Sequence, residues 1–225
     1  MAWPAPTPAD VSSAAPNSSA HRLLFIATSN VPKGKFRQLQ QIAAPHGLAV
    51  EVRYLNTIPA QSGPSIWDGY DAVFFDSYLY DQIQEHLAQS LPGLKAKSAW
   101  LYDAKPQWGG GLAGDVAQPL ITYYANGGQR NFEGFFSLLA ATLKGQAPPA
   151  NLPPPIVFPK IAVYHPQAPQ LVFDSVPAFL RWRGVPIEPG AKRAPIVAIA
   201  MHQQYIASMQ TDFIDDLLAR IEAQG

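Results

Sequence analysis

Cysteine is missing altogether from the 225 residues, and charge is scarce, with Asp, Glu, Lys and Arg making up only 14% of the chain. The first absence excludes disulfides, thiolate zinc sites, iron–sulfur clusters and cysteine nucleophiles. The second leaves the surface to Gln, Ser, Thr, Asn and Pro. Lys plus Arg and Asp plus Glu are both 16, so the formal net charge is zero. No basic run or basic helix face offers a footprint for nucleic acid, and none offers a patch for an acidic membrane surface. No apolar run approaches the roughly 20 residues that span a bilayer. The first 20 residues lack the basic start and apolar stretch of an intact signal peptide. Rich in Ala, Pro and Ser, they are expected to form a disordered tail. Two readings of that tail stay open. It is an ordinary tail of a cytoplasmic protein, or the stub left when a signal was removed from a periplasmic one. Gly109-Gly-Gly-Leu-Ala-Gly114 is glycine-rich but does not follow a first strand, as a dinucleotide-binding G-x-G-x-x-G would, and P-loop, H-E-x-x-H and G-x-S-x-G patterns are missing, so nucleotide, zincin and hydrolase chemistry have no motif behind them.

What is present is a regular alternation of short apolar runs and amphipathic stretches. Strands are expected at 22–28, 48–55, 70–76 and 98–103, with a further one at 120–124. Helices are expected at 35–44, 80–91 and 132–143, the last capped by Asn131. This pattern predicts an α/β fold, a flavodoxin-like or Rossmann-like, mostly parallel sheet over residues 21–145. Residues 146–159 hold six prolines and read as a linker. Residues 160–225 read as the start of a second α/β unit, βαβα in order. Its strands are expected at 161–166 and 195–200, and its helices around Val176, Phe179 and Trp182 and over 211–224.

Candidate chemistry gathers at the expected carboxyl ends of strands, where open parallel sheets bind ligands. Asp76 and Asp103 end successive strands and suit acid–base work or hard metal coordination, although strand-end Asp also caps turns routinely. His165 and His202 end two strands expected to be neighbours, so their imidazoles suit a metal or an axial site on a tetrapyrrole's metal; each could equally hydrogen-bond a loop. Gln203, Tyr164 and Tyr205 flank them as ligand-binding candidates, among tyrosines that crowd near strand ends and could line a cleft. The turn Asn126-Gly127-Gly128 precedes a helix and could hold an anion on free backbone N–H groups, or be a tight turn and cap only.

Taken together, Asn126-Gly-Gly-Gln-Arg-Asn-Phe132, Ile161-Ala-Val-Tyr-His-Pro-Gln-Ala-Pro169, the helix from Phe173 to Trp182, and Pro195 to Ala200 followed by the helix ending at Gly225 resemble the N-terminal part of the CobN large subunit of cobaltochelatase and the magnesium chelatase H subunit. The likeness covers residues 120–225. It departs where His202-Gln203-Gln204 replaces the family's Arg-Ser pair and where Lys160 replaces Gly. The resemblance implies the head region of a much longer, truncated chain from cobalamin biosynthesis or a related pathway. That region would bind a tetrapyrrole or its divalent metal (Co, Mg or Zn) and dock ATPase chelatase subunits and the rest of its own chain, without being a catalytic ligase alone. Two alternatives remain on the residues themselves. One is a stand-alone two-lobed module for a small solute or metal, which an exported form would use for metal or haem uptake. The other is a metalloenzyme using Asp76, Asp103, His165 and His202.

Overall fold

The fold is that of a computed structural model, which describes residues 20–102, 106–169, 171–188, 190 and 195–224. The N-terminal tail expected at 1–20 and Asp103 lie outside these, Ala20 excepted.

Leu23 to Ala27 are fully buried, as befits a strand covered on both faces. They form β1 (His21–Ala27), which pairs in parallel with β2 (Leu48–Tyr54) on one side and β3 (Ala72–Asp76) on the other. β3 pairs in parallel with β4 (Lys97–Trp100), and a two-residue β5 (Trp108–Gly109) closes the edge antiparallel to β4. The order is β2-β1-β3-β4-β5, the flavodoxin-like arrangement, in which the chain changes direction of travel between β1 and β3.

Alternate strand residues face opposite layers. Phe25, Phe74, Ala99 and Leu101 meet α1 (Lys33–Ala43), α3 (Gly114–Asn126) and α4 (Gln129–Leu143). Phe25 and Phe135 anchor that layer, with Phe135 edge-on to Phe74 at 5.2 Å between centroids. Leu24, Ile26, Phe75 and Trp100 face the other side, where Trp67, Leu87 and Ile83 of α2 (Tyr80–His86) cover them.

Three sequence expectations fail here. Residues 120–124 belong to helix α3, not to a strand: Ala117, Leu120, Ile121 and Tyr124 are buried at the 3, 4, 7 spacing of one helix face, and that period overrides the β-branched and aromatic content. Asn131 is not a cap; α4 begins two residues earlier, after Gly128. Residues 195–200 form no strand, and Ile196 and Val197 lie exposed. The reason is local. The run at 161–166, expected to be their parallel neighbour, folds back as a hairpin of β6 (Val163–Tyr164) and β7 (Val172–Phe173), antiparallel, with Leu171 at positive φ closing the turn. No parallel edge is then offered to residues 195–200. Of the remaining helices, α5 (Val176–Trp182) and α7 (Asp212–Glu222) fall where the pattern put them, and the short α6 (Gln204–Ala207) adds a turn of helix between them.

Residues 146–159 carry no helix or strand but are pinned down. Asn131 donates to the carbonyl of Ile156 and accepts from its N–H, and Asn126 accepts from the N–H of Phe158.

Candidate functional site

Lys35 and Asp76 meet inside the protein at the carboxyl ends of β1 and β3. The Lys35 Nζ lies 3.0 Å from Asp76 Oδ2, and the two side chains are 3% and 1% exposed. Lys35 is carried there by the first turn of α1, on the face that also buries Leu39; Asp76 is the last residue of β3. The Tyr124 hydroxyl donates to the same Asp76 oxygen at 2.9 Å, and Lys35 donates a second hydrogen bond to the Tyr102 hydroxyl at 3.1 Å. The ammonium also sits 4.3 Å from the centre of the Tyr124 ring, where the negative face of the ring attracts it. The other carboxylate oxygen, Oδ1, is buried without a hydrogen-bond partner among the described residues.

Burial sets the protonation behaviour of this group. Desolvation lowers the Lys35 pKa from its ordinary value, and the Asp76 charge opposes that fall. Desolvation pushes the Tyr102 and Tyr124 hydroxyls well above their usual range, and Asp76 adds to the rise.

Beside the pair opens a cleft of about 130 Å³, lined by Asn30, Ser77, Tyr78, Tyr102, His202 and Gln203 among others. The Thr28 and Ser77 hydroxyls lie 3.1 Å apart and tie the two strand ends together. Tyr78 and Tyr102 lie ring to ring, with centroids 4.4 Å apart. This is the crevice at the switch in strand order where such sheets place ligands.

The expected site residues divide. Asp76, His202 and Gln203 all line the cleft. His165 does not: its Nε2 meets Glu222 at 3.1 Å and its ring packs on Trp182 and Phe179. The two histidines therefore serve separate neighbourhoods, because the parallel pairing meant to bring them together is replaced by the β6–β7 hairpin. Tyr164 donates to Asp215 on α7 at 2.7 Å, and its pKa is pushed up to about 12, chiefly by burial. Tyr205 packs on Phe213. The Asn126-Gly127-Gly128 turn is a structural joint: the Gly128 N–H donates to the Ala207 carbonyl at 3.0 Å, so that donor is already used. No three His, Asp or Glu among the described residues converge on one point as a metal would need.

Lys35 is the residue that sequence reasoning missed. Its signal was present: a lysine four residues before Leu39, on the apolar face of α1, has to find an acid inside.

Comparison with known proteins gives two findings. Residues 121–225 match the family model described as CobN/Magnesium Chelatase. Among solved structures, the catalytic subunit of cobaltochelatase from Mycobacterium tuberculosis is similar, with a TM-score of 0.52 and 15% identity. The match covers 91% of this chain and 15% of that one, so the chain spans a small part of its length. At this identity the likeness speaks for the fold. No curated protein matches the chain.

Proposed function

We propose, from the match of residues 121–225 to the CobN/magnesium chelatase family model, that this chain serves as the head region of a chelatase large subunit. In that role it contacts a tetrapyrrole and docks partner subunits, and it does not catalyse metal insertion alone. The family match carries this reading. The surface supports it. Phe213 and Leu217, four residues apart on α7, are exposed, as are Ile196 and Val197, and exposed apolar side chains of this kind suit a protein partner. No helix among the described residues is long and apolar enough to cross a membrane.

Size constrains where a macrocycle would go. The cleft of about 130 Å³ is too small to enclose one. An open groove of about 1160 Å³ runs between α1, α4 and the proline-rich stretch, lined by Gln38, Arg130, Asn131 and Leu152 among others. It is in the range of pockets that accept sizeable organic ligands, roughly 300 Å³ and above. With no cluster of three or more metal-ligating side chains among the described residues, the metal would be held by the macrocycle or by groups elsewhere.

Titration with a water-soluble porphyrin tests the first half of the reading: the main visible band should shift saturably. Sedimentation of the chain with the ATPase subunits of a chelatase tests the second. A porphyrin band that stays put and an ATPase mixture that sediments as separate species would together overturn the reading.

A further inference from the structure

We propose that the cleft at the carboxyl ends of β1 and β3 binds a neutral carboxamide group, seated against Asp76 and Lys35. The assignment does not depend on the chelatase reading.

The pair leaves one hydrogen-bonding atom unused. Asp76 Oδ1 is a buried acceptor with no donor among the described residues, a state that costs free energy until a donor arrives. Lys35 directs two of its three hydrogens to Asp76 and Tyr102. The site therefore lacks a donor at Asp76 Oδ1, while Tyr78 and Gln203, whose side chains can donate, line the same cleft. A primary carboxamide matches this, with an NH₂ donor for the carboxylate beside a carbonyl acceptor for those groups.

Charge selects against ions. The Lys35–Asp76 pair is neutral as a unit and almost wholly buried. An incoming carboxylate would face the Asp76 charge, and an incoming ammonium would face Lys35, each bringing an uncompensated charge into a desolvated place. Volume selects against bulk: the cleft of about 130 Å³ matches roughly four waters at about 30 Å³ each, or one small polar group. The Tyr78 and Tyr102 rings, tilted by 31° to each other, add an aromatic wall, so an amide borne on a planar ring would gain contact. Tyr78 is 65% exposed and stands at the mouth.

The test is a ¹H–¹⁵N nuclear magnetic resonance titration of the whole chain with acetamide, nicotinamide, acetate and methylammonium. Saturable shifts at the Lys35, Ser77 and Tyr78 amides are expected with the two amides, at on the order of millimolar Kd for so small a ligand. The two ions should bind at least tenfold more weakly. Nicotinamide several-fold tighter than acetamide would assign the natural group to a larger flat molecule. Acetamide as tight or tighter would assign it to a free small amide. Shifts that fail to saturate, or equal response to either ion, would overturn the proposal. Asp76→Asn should abolish amide binding, and a folded Asp76→Asn protein that still binds would overturn it too. Should that variant not fold, Tyr78→Ala, at an exposed position, should lower nicotinamide affinity several-fold. Unchanged affinity there would put the ligand outside the cleft.

Discussion

Replacing Asp76 by Asn keeps the shape of the side chain and removes its charge. Asn can still accept from Lys35 and Tyr124 through its oxygen, so the hydrogen bonds at 3.0 and 2.9 Å have a replacement partner. What is lost is the carboxylate paired with a lysine that is 3% exposed. Leaving one charge of a buried pair without its partner typically costs about 3–5 kcal/mol, and the retained hydrogen bonds place this variant near the lower end. For a domain of this size each kcal/mol moves Tm by about 2–4 °C, so the melt should fall by about 6–12 °C. The pH dependence identifies the cause. Burial already lowers the Lys35 pKa from 10.5, and Asp76 is what holds it up; without Asp76 it falls further. A group with a depressed folded-state pKa gives its full stability above the unfolded value and loses it as pH falls through the folded value. The deficit of the variant should therefore shrink as pH rises from 7 towards 10. Urea unfolding at pH 7, 8 and 9, followed by tryptophan fluorescence, measures this. A deficit below about 1 kcal/mol at pH 7, or one that stays flat or widens with pH, would refute the claim that Asp76 is what allows Lys35 to be buried.

Gly127→Ala should destabilise by about 1–3 kcal/mol, since its φ of +63° disfavours a side chain and a Cβ would come 2.0 Å from the Ala207 carbonyl oxygen. Hydrogen exchange should show the Gly128 N–H losing protection, and an unchanged rate would mean the joint to Ala207 is unimportant. Phe135→Ala, which empties a fully buried ring position packed against Phe25, Phe74, Tyr124 and Phe136, should cost about 3–5 kcal/mol by urea titration. A loss under about 1.5 kcal/mol would show that the aromatic layer repacks. Alkaline pH should unfold the protein. Tyr102 and Tyr124 have raised folded-state pKa values, so their stability is complete below 10 and is lost above it, at up to about 1.4 kcal/mol per pH unit for each. Absorbance of tyrosinate near 295 nm should show these two titrating together with loss of structure; all 9 tyrosines ionising in a protein that stays folded would contradict it.

The parallel sheet was legible because its strands are short, unbroken and apolar, and because β1 and β3 are each followed by a helix. β1 and β3 fall within a residue or two of where hydropathy put them. Residues 120–124 were misread because Ile-Thr-Tyr-Tyr is strand-like in composition, and only the longer window back to Ala117 shows the helical spacing. Residues 195–200 failed for a different reason. An apolar run says that a segment can join a sheet, never that an edge is waiting for it; that depends on β6 and β7 pairing with each other instead. The site was half legible. Asp76, His202 and Gln203 were found by the rule that strand ends hold function. Lys35 was passed over because a lone lysine in a helix is ordinarily solvated, and its burial depends on an acid 41 positions away.

The cleft also joins parts of the chain that sequence similarity treats unequally. Lys35, Asp76, Tyr78 and Tyr102 come from residues before the family match begins, whereas His202, Gln203 and Gln204 come from within it. Further bonds cross the same seam: Gln38 donates to the Met209 carbonyl at 2.9 Å, and Gly128 is tied to Ala207. The stretch from His202 to Met209 is thus held from both sides, by α1 and by the α3–α4 turn. A group entering the cleft would touch this stretch and the strand ends at once. Through residues 202–209 it would also bear on α7, because Tyr205 packs edge-on against Phe213 with ring centroids 5.3 Å apart.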